Sequence, residues 1–542
     1  MSRARGIGRR HMMKVGAAAL GGIALPRTID VTLLGAAQGP AVAPATSGAG
    51  RDLILTNGRF MDGRGFIASA LTIRNGRITT LGPDALPPAG ALVVDLRGRT
   101  VVPGLFDSHA HYVRAGVNPG YEARGIERAF SIRELQETIA RTASRVPAGA
   151  FITCIGGWNH LQFSEKRRPT KDDLDAAAPD HAVYISGTGA DTGAMTNRRG
   201  QTFFAAQGVV VDDTSGRVTA PNTALAALQK GQSTDDKRRG TRWLNAHANA
   251  LGLTAVKNSG NFEDLEFTLD LWRRKGLSVR MRPTFPANTP AEVEARVLNN
   301  FSQGGRAVGD DMFRVVGFGE RVGGMETTSD AFEPTARVAA RHRWSLEQHS
   351  LTAEENAFHL AALQAIAKDY PLVDLRWTLI HANNVTAPVL KALMDLGAGV
   401  LPHGAARYLG TIQNAGPPYR RIVDSGSSAG AGSDATNVAP LDPWLGLFYM
   451  TTGRNLAGDL INDGQQVTRL EALRMYTAGT AYATFDEQDL GLFDVGKYGD
   501  LAVLSEDYFA VSDDRIRKIE SVLTVVDGAI VHTAPPFDGL KA

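Results

Sequence analysis

The sequence predicts an α/β protein: a TIM (β/α)8 barrel with a long insertion after its first strand, plus a small composite β-sandwich built from both chain ends. Three observations predict it. A hairpin-like texture fills residues 51–99 and returns only near the far end of the chain. Between the two stretches, short apolar runs alternate with longer helical patterns, the rhythm of βα units and a parallel sheet. Eight such apolar runs fit, and eight units close a barrel. The expected division is a leader and linker at 1–50, one sandwich part at 51–99, a barrel at 100–485 with its insertion at about 112–252, and the second sandwich part at 486–542.

The chain opens on a basic head, Arg3, Arg5, Arg9, Arg10 and Lys14, followed by an apolar Gly/Ala-rich run at 15–25. That run is too short to span a bilayer but suits the apolar region of a signal peptide. Arg9-Arg10-His11-Met12-Met13-Lys14 resembles a twin-arginine export signal. Small residues suited to cleavage follow at Gly35-Ala36-Ala37 and Ala41-Val42-Ala43, and the Pro/Ala/Ser/Gly stretch at 39–50 reads as a linker. The expected destination is the periplasm, reached through the twin-arginine machinery; a basic tail without signal function would leave the protein cytoplasmic. No later segment has enough uninterrupted apolar length for a membrane span.

Residues 52–61 read as strand, Asn57-Gly58 turn and strand, and residues 71–81 repeat the pattern around Asn75-Gly76. Residues 92–96 extend the series. The texture returns at 500–504 and at 522–532 around Asp527-Gly528. Neither end alone offers enough strands for two packed sheets, so the two ends are expected to combine. The barrel strands are expected at 100–108, 253–259, 277–285, 312–319, 343–348, 376–380, 398–402 and 429–433, with helical patterns such as 353–368 and 387–396 between them. The first gap is too long for one crossover and holds the insertion, with its own strand at 180–186.

Composition narrows the chemistry. With 58 basic against 56 acidic residues, there is no electrostatic case for nucleic-acid binding. The single cysteine, Cys154, excludes an intrachain disulfide and a thiolate-cluster metal site. Neither Gly304-Gly305 nor Gly323-Gly324 has the spacing of a nucleotide-binding loop. A metal would have to use the His, Asp and Glu side chains, or a modified lysine.

Catalytic groups of such barrels lie at the C-terminal strand ends. The first strand runs into His109-Ala110-His111, and alternation along extended chain puts both imidazoles on one side. The fourth strand ends at Glu320, the fifth at His349, the sixth at His381 and the eighth at Asp434. Four histidines and two carboxylates thus gather at five strand ends, a donor set for a divalent metal. His403 closes the seventh strand and is a candidate substrate contact. His160 and His181 lie in the insertion.

The motifs resemble the amidohydrolase superfamily, and within it the YtcJ-like branch that includes N-substituted formamide deformylases. The matching passages are GRTVVPGLFDSHAH at 98–111, Gly156-Gly157-Trp158, Pro169-Thr170 with Leu174-Asp175 and Ala178-Pro179, and Leu379-Ile380-His381-Ala382. They continue with Gly432-Ser433-Asp434, Pro440-Leu441-Asp442-Pro443, ALRMYT at 472–477, and the stretches 491–504 and 525–528. They occur in family order over about residues 51–535.

The resemblance implies metal-dependent hydrolysis of a C–N bond in an amide, N-formyl group or cyclic amide. It implies His109, His111, His349 and His381 as metal ligands, with Asp434 as general acid/base. The fit is looser at the fourth strand, where many relatives carry a carboxylated lysine that bridges two metals. Here Glu320 is the nearest strand-end anion, and Lys257, ending the second strand, is the alternative bridge. The donors suit a divalent metal, Zn²⁺ first, as one or two ions.

Pocket walls are expected from Tyr112, Trp158, Asn159, His403 and Arg407, with Trp158 open to a core role instead. The expected partner is a small-molecule substrate, with homo-oligomerisation left open. The alternatives are a deaminase or other hydrolase on the same metal site, and a catalytically inactive exported binding protein.

Overall fold

The computed structural model describes residues 52–82, 90–189, 192–260, 265–300, 309–404, 407–410 and 416–540. The expected leader and linker at 1–50 lie outside the described residues.

Eight parallel segments form the ring. Leu105–Ala110 pairs with Leu253–Asn258, whose Ala255 and Val256 pair with Arg280–Met281. A bridge from Met281 to Phe313, the pairing of Thr284–Phe285 with Gly317–Phe318, and a bridge from Phe318 to Leu346 carry the ring onward. Glu347–Ser350, Thr378–His381 and Gly399–Pro402 follow in register. Val400 bridges Ala429, and Ser108 N–H donates to Ala431 O at 3.0 Å, which closes the ring on the first strand. Val256, Met281, Phe318, Trp344, Leu379 and Val400 share one buried apolar core. Removal of such surface from water drives the fold, at roughly 25 cal/mol per Å².

Four strands differ from expectation, among them the eighth, where 429–433 forms no strand and only Ala429 bridges to Val400. The stretch 100–108 is two elements. Thr100–Pro103 belongs to the sheet of the chain ends, pairing with Arg59–Asp62 and Leu501–Leu504, and the barrel strand begins only at Leu105. Gly104 is the crossing point: a Cβ there would lie 2.0 Å from Thr254 Oγ1. The stretch 277–285 also splits, into Arg280–Met281 and Thr284–Phe285, because Pro283 between them has no N–H for a ladder. The fourth strand shortens to Gly317–Phe318.

The insertion carries a five-stranded sheet ordered Arg217–Val218, Ala194–Thr196, Ala182–Ser186, Phe151–Ile155, Tyr121–Glu122. Its helix Ile132–Ala143 starts at Ser131, whose side chain accepts from Glu134 N–H. Ile132, Leu135, Ile139, Ile152 and Val183 form a core of its own.

Residues of the two chain ends make a four-stranded and a six-stranded sheet. The six-stranded one runs Ala529–Thr533, Ser521–Val526, Leu501–Leu504, Thr100–Pro103, Arg59–Asp62, Gly65–Ala68. Asn75 and Asp527, at φ of 49° and 52°, sit in the Asn-Gly and Asp-Gly turns of true hairpins, Leu71–Arg74 with Arg77–Leu81 and Ser521–Val526 with Ala529–Thr533. The Asn57-Gly58 turn, expected to close a hairpin, instead carries the chain from Leu53–Thr56 in the four-stranded sheet to Arg59–Asp62 in the six-stranded one. Leu53, Phe60, Ile73, Leu501, Leu523 and Val525 are buried in one cluster that joins both ends. Among the described residues no helix is long and apolar enough to cross a membrane.

Candidate metal centre

The strand ends bring six of the expected groups together. His109 and His111 come from the first strand, Glu320 from the fourth, His349 and His381 from the fifth and sixth, and Asp434 from the eighth. His111 Nε2 lies 3.2 Å from Glu320 Oε2, and both His109 Nε2 and His111 Nε2 lie 3.5 Å from Asp434 Oδ1. On the other side of the same carboxylate, His349 Nδ1 lies 3.0 Å from Glu320 Oε1, and His381 Nε2 lies 2.7 Å from His349 Nδ1. Glu320 thus turns one oxygen to each pair of histidines. Three overlapping groups have ligand atoms close enough to share an ion: His109, His111, Glu320; then Glu320, His349, His381; then His109, His381, His403, Asp434.

The electrostatics favour positive charge here. Burial opposes ionisation of Glu320, but hydrogen bonds from His111 and His349 and the charges of His109 and His111 outweigh it and hold the group well below the usual carboxylate range. Burial likewise raises Asp434, but His109, whose Nε2 lies 3.5 Å away, and the charges of the neighbouring histidines outweigh it and bring the group below its ordinary value. Burial lowers His109, yet Asp434, Glu320 and Glu347 push it up to about 9. His403 is different: burial dominates, assisted by the charge of His109, and pushes it down to about 3.

The donor chemistry fits a divalent metal. Among the described residues, His109 Nε2 is buried with no hydrogen-bond partner, and so are both ring nitrogens of His403. An imidazole nitrogen left without a partner among carboxylates is what a cation would satisfy.

His403 stacks on His109, with ring centroids 5.2 Å apart and planes 7° apart, and meets His381 edge-on at 4.4 Å. The seventh-strand histidine therefore stands inside the cluster. The other expected pocket residues have the following surroundings. Tyr112 is buried with its hydroxyl donating to Asn245 Oδ1 at 2.7 Å, so it faces a helix. Asn159 caps a turn of the insertion: its Oδ1 accepts from Leu161 N–H, and its Nδ2 donates to Thr188 O at 2.8 Å. Trp158 lies in the insertion's core, stacked on Phe163, with its Nε1 buried and unpartnered among the described residues. Arg407 is buried, with the hydroxyls of Tyr449 and Tyr419 as its charge neighbours. Lys257 is engaged by a different group: its Nζ lies 2.6 Å from Glu347 Oε2, and both side chains are buried. Glu320, not Lys257, stands between the two histidine pairs.

Sequence reasoning did not single out Asp107, Ser259 or Glu347. Asp107 Oδ1 accepts from His109 N–H and Ser433 N–H at 3.0 and 3.1 Å, tying the first strand to the eighth. Its signal was its place two residues before His109. The insertion is latched to the same corner: Thr188 Oγ1 donates to Asn437 O at 2.7 Å, and a Cβ on Gly156 would lie 2.5 Å from Asn437 Cα.

Comparison with known proteins agrees with this architecture. A family model described as "Amidohydrolase family" matches residues 92–532. The chain is 24% identical over 544 residues to an N-substituted formamide deformylase of Arthrobacter pascens, covering 89% of this chain and 98% of that protein. Among solved structures it is similar to a metal-dependent hydrolase from Pyrococcus furiosus, with a TM-score of 0.57 and 19% identity, covering 84% of this chain and 100% of the other. It is also similar to an atrazine chlorohydrolase from Arthrobacter aurescens TC1 complexed with zinc, with a TM-score of 0.53 and 15% identity, covering 89% and 95%. At these identities the structural likenesses speak for the fold.

Proposed function

The chain belongs to the amidohydrolase family, and from that premise we propose that it is a metal-dependent hydrolase that cleaves the C–N bond of an amide, N-formyl group or cyclic amide. The observation that carries the proposal is the placement of Glu320, with Oε2 3.2 Å from His111 and Oε1 3.0 Å from His349. In this reading His109, His111 and Glu320 hold one divalent ion, and Glu320, His349 and His381 hold a second. Zinc, which suits imidazole and carboxylate donors, would polarise the substrate carbonyl and lower the pKa of water to about 7.

The chain's own residues do the rest. Asp434 accepts the proton of the attacking water. It then returns that proton to the nitrogen of the leaving amine, which departs poorly until protonated. Its lowered pKa keeps it ionised and ready to accept. His403 lies beside His109 and His381 with free ring nitrogens, and in this reading it positions the substrate against the cluster. The insertion, latched to Asn437 just beyond Asp434, supplies the specificity wall. The deformylase relative supports an N-formyl substrate in particular.

Elemental analysis of the purified protein, paired with a screen of N-formyl, N-acyl and cyclic amides, tests the proposal. Two metal equivalents per chain and turnover on one class are expected. A metal-free protein with no hydrolysis across the panel would overturn it. Export belongs to the same proposal, supported by Arg9-Arg10 and the apolar run that follows. Cell fractionation with Arg9 and Arg10 changed to Lys is its check.

A further inference from the structure

We propose that Ser259 is a positioning residue that fixes the proton on both histidines of the first-strand pair, so that each presents Nε2 to the metal. This rests on the proposed ligand roles of His109 and His111. Ser259 follows the second barrel strand, Leu253–Asn258, and is fully buried. Its hydroxyl oxygen lies 2.8 Å from His109 Nδ1 and 2.6 Å from Glu347 Oε1. Its backbone carbonyl lies 3.1 Å from His111 Nδ1. One residue therefore reaches the outer nitrogen of both rings, with two different groups.

The polarity of these contacts is forced. A carbonyl only accepts, so His111 Nδ1 carries a proton and donates. The Glu347 carboxylate also only accepts. It is ion-paired with Lys257 Nζ at 2.6 Å, and its Oε1 receives Thr284 Oγ1 at 3.0 Å. The Ser259 hydroxyl proton must therefore point to Glu347. Its oxygen is then left to accept from His109 Nδ1–H. The sense of the chain is Lys257 to Glu347, and His109 through Ser259 to Glu347. With Nδ1 holding its proton on both rings, the proton that yields to a cation is the one on Nε2. Those are the atoms that face Asp434 Oδ1 at 3.5 Å.

The arrangement also gives the buried Lys257–Glu347 pair a task. Burying two charges is costly, and a well-packed apolar pair would often serve stability as well. An acceptor-only group at this point is what directs the hydroxyl. Partners behind a ligating histidine fix its tautomer and orientation, and their loss weakens metal binding by about 10–100-fold.

The test compares wild type, Ser259→Ala, and the paired Lys257→Met/Glu347→Leu variant. Zinc affinity is measured by chelator competition. The ring N–H protons of the zinc-loaded proteins are read by downfield NMR, with signals assigned from His109→Asn and His111→Asn. Ser259→Ala is expected to bind zinc about 10–100-fold more weakly and to lose the His109 N–H signal, while the His111 signal survives because its acceptor is backbone. A general loss of packing would disturb both signals. The paired variant keeps Ser259 but removes its acceptor, and should weaken zinc binding in the same direction even if Ser259→Ala fails to fold. Wild-type affinity with an unmoved His109 signal, or wild-type affinity in the paired variant, overturns the proposal. A wild-type protein that binds no zinc overturns the ligand reading, and this proposal with it.

Discussion

Asp434 sits at φ 64°, in the left-handed region that aspartate tolerates better than most residues, and its N–H donates to His109 O at 2.8 Å. The backbone thus aims its carboxylate at the Nε2 atoms of the first-strand pair. Asp434→Asn keeps the shape and removes the base. It should retain wild-type metal content and lose about 10²–10⁴-fold in kcat; elemental analysis and steady-state kinetics check both halves. A near-normal kcat would remove Asp434 from the proton transfer. Glu320→Gln separates the other role. An amide cannot supply the shared charge, so metal content should fall from two equivalents to one or none while the fold, followed by thermal melting, is kept. Two retained equivalents would show that Glu320 does not bridge. The histidine ligand candidates were legible because each ends a strand. Ser259 and Glu347 were not, since neither residue type marks a site without its neighbours.

At the scale of elements, the eighth segment meets the first through missing side chains. A Cβ on Gly432 would lie 2.6 Å from His109 N and 2.8 Å from Asp107 Oδ1. Gly432→Ala must therefore push the first strand outward. It should weaken zinc binding at least about 10-fold, a loss like that from disturbing a ligand's supporting shell, while leaving Asp434 chemically intact; chelator titration reads it. The stretch 429–433 forms little ladder although its apolar pattern is that of a strand: Ala429 bridges to Val400, and Ala431 N–H donates to Met475 O. The split at Pro283 was predictable from proline's missing N–H. The split at Gly104 was not, because Val101 and Val102 look alike whichever sheet receives them.

For the whole molecule, Asp486 ties the C-terminal part to the barrel. It accepts from Arg282 in a two-pronged contact at 2.8 and 3.0 Å, and from Arg314 at 2.6 Å. Burial raises its pKa, but the two guanidinium groups outweigh burial and hold it below its ordinary value. For a carboxylate depressed on folding, the stabilisation is fully present above the unfolded pKa of about 3.9 and is lost as pH falls through the lower folded value. Asp486→Asn leaves the buried Arg282 without its counter-charge and should cost roughly 3–5 kcal/mol at neutral pH. It should also flatten the acid limb of the Tm-versus-pH curve; equal slopes in wild type and variant would refute the assignment.

By itself the sequence determined the strand-and-helix rhythm, the joining of the two ends, and the metal-binding residue types at five strand ends. These depend on periodicity and on chain order, which are local and written along the chain. Only the tertiary structure decided that Glu320 offers one oxygen to each histidine pair, that Lys257 belongs to Glu347, that Tyr112 bonds Asn245 while Asn159 caps a turn, and that His403 joins the cluster. Those outcomes depend on contacts between residues far apart in the chain, such as Ser259 with Glu347 or Asp107 with Ser433. Closure of the barrel sets such distances, and no local pattern encodes them.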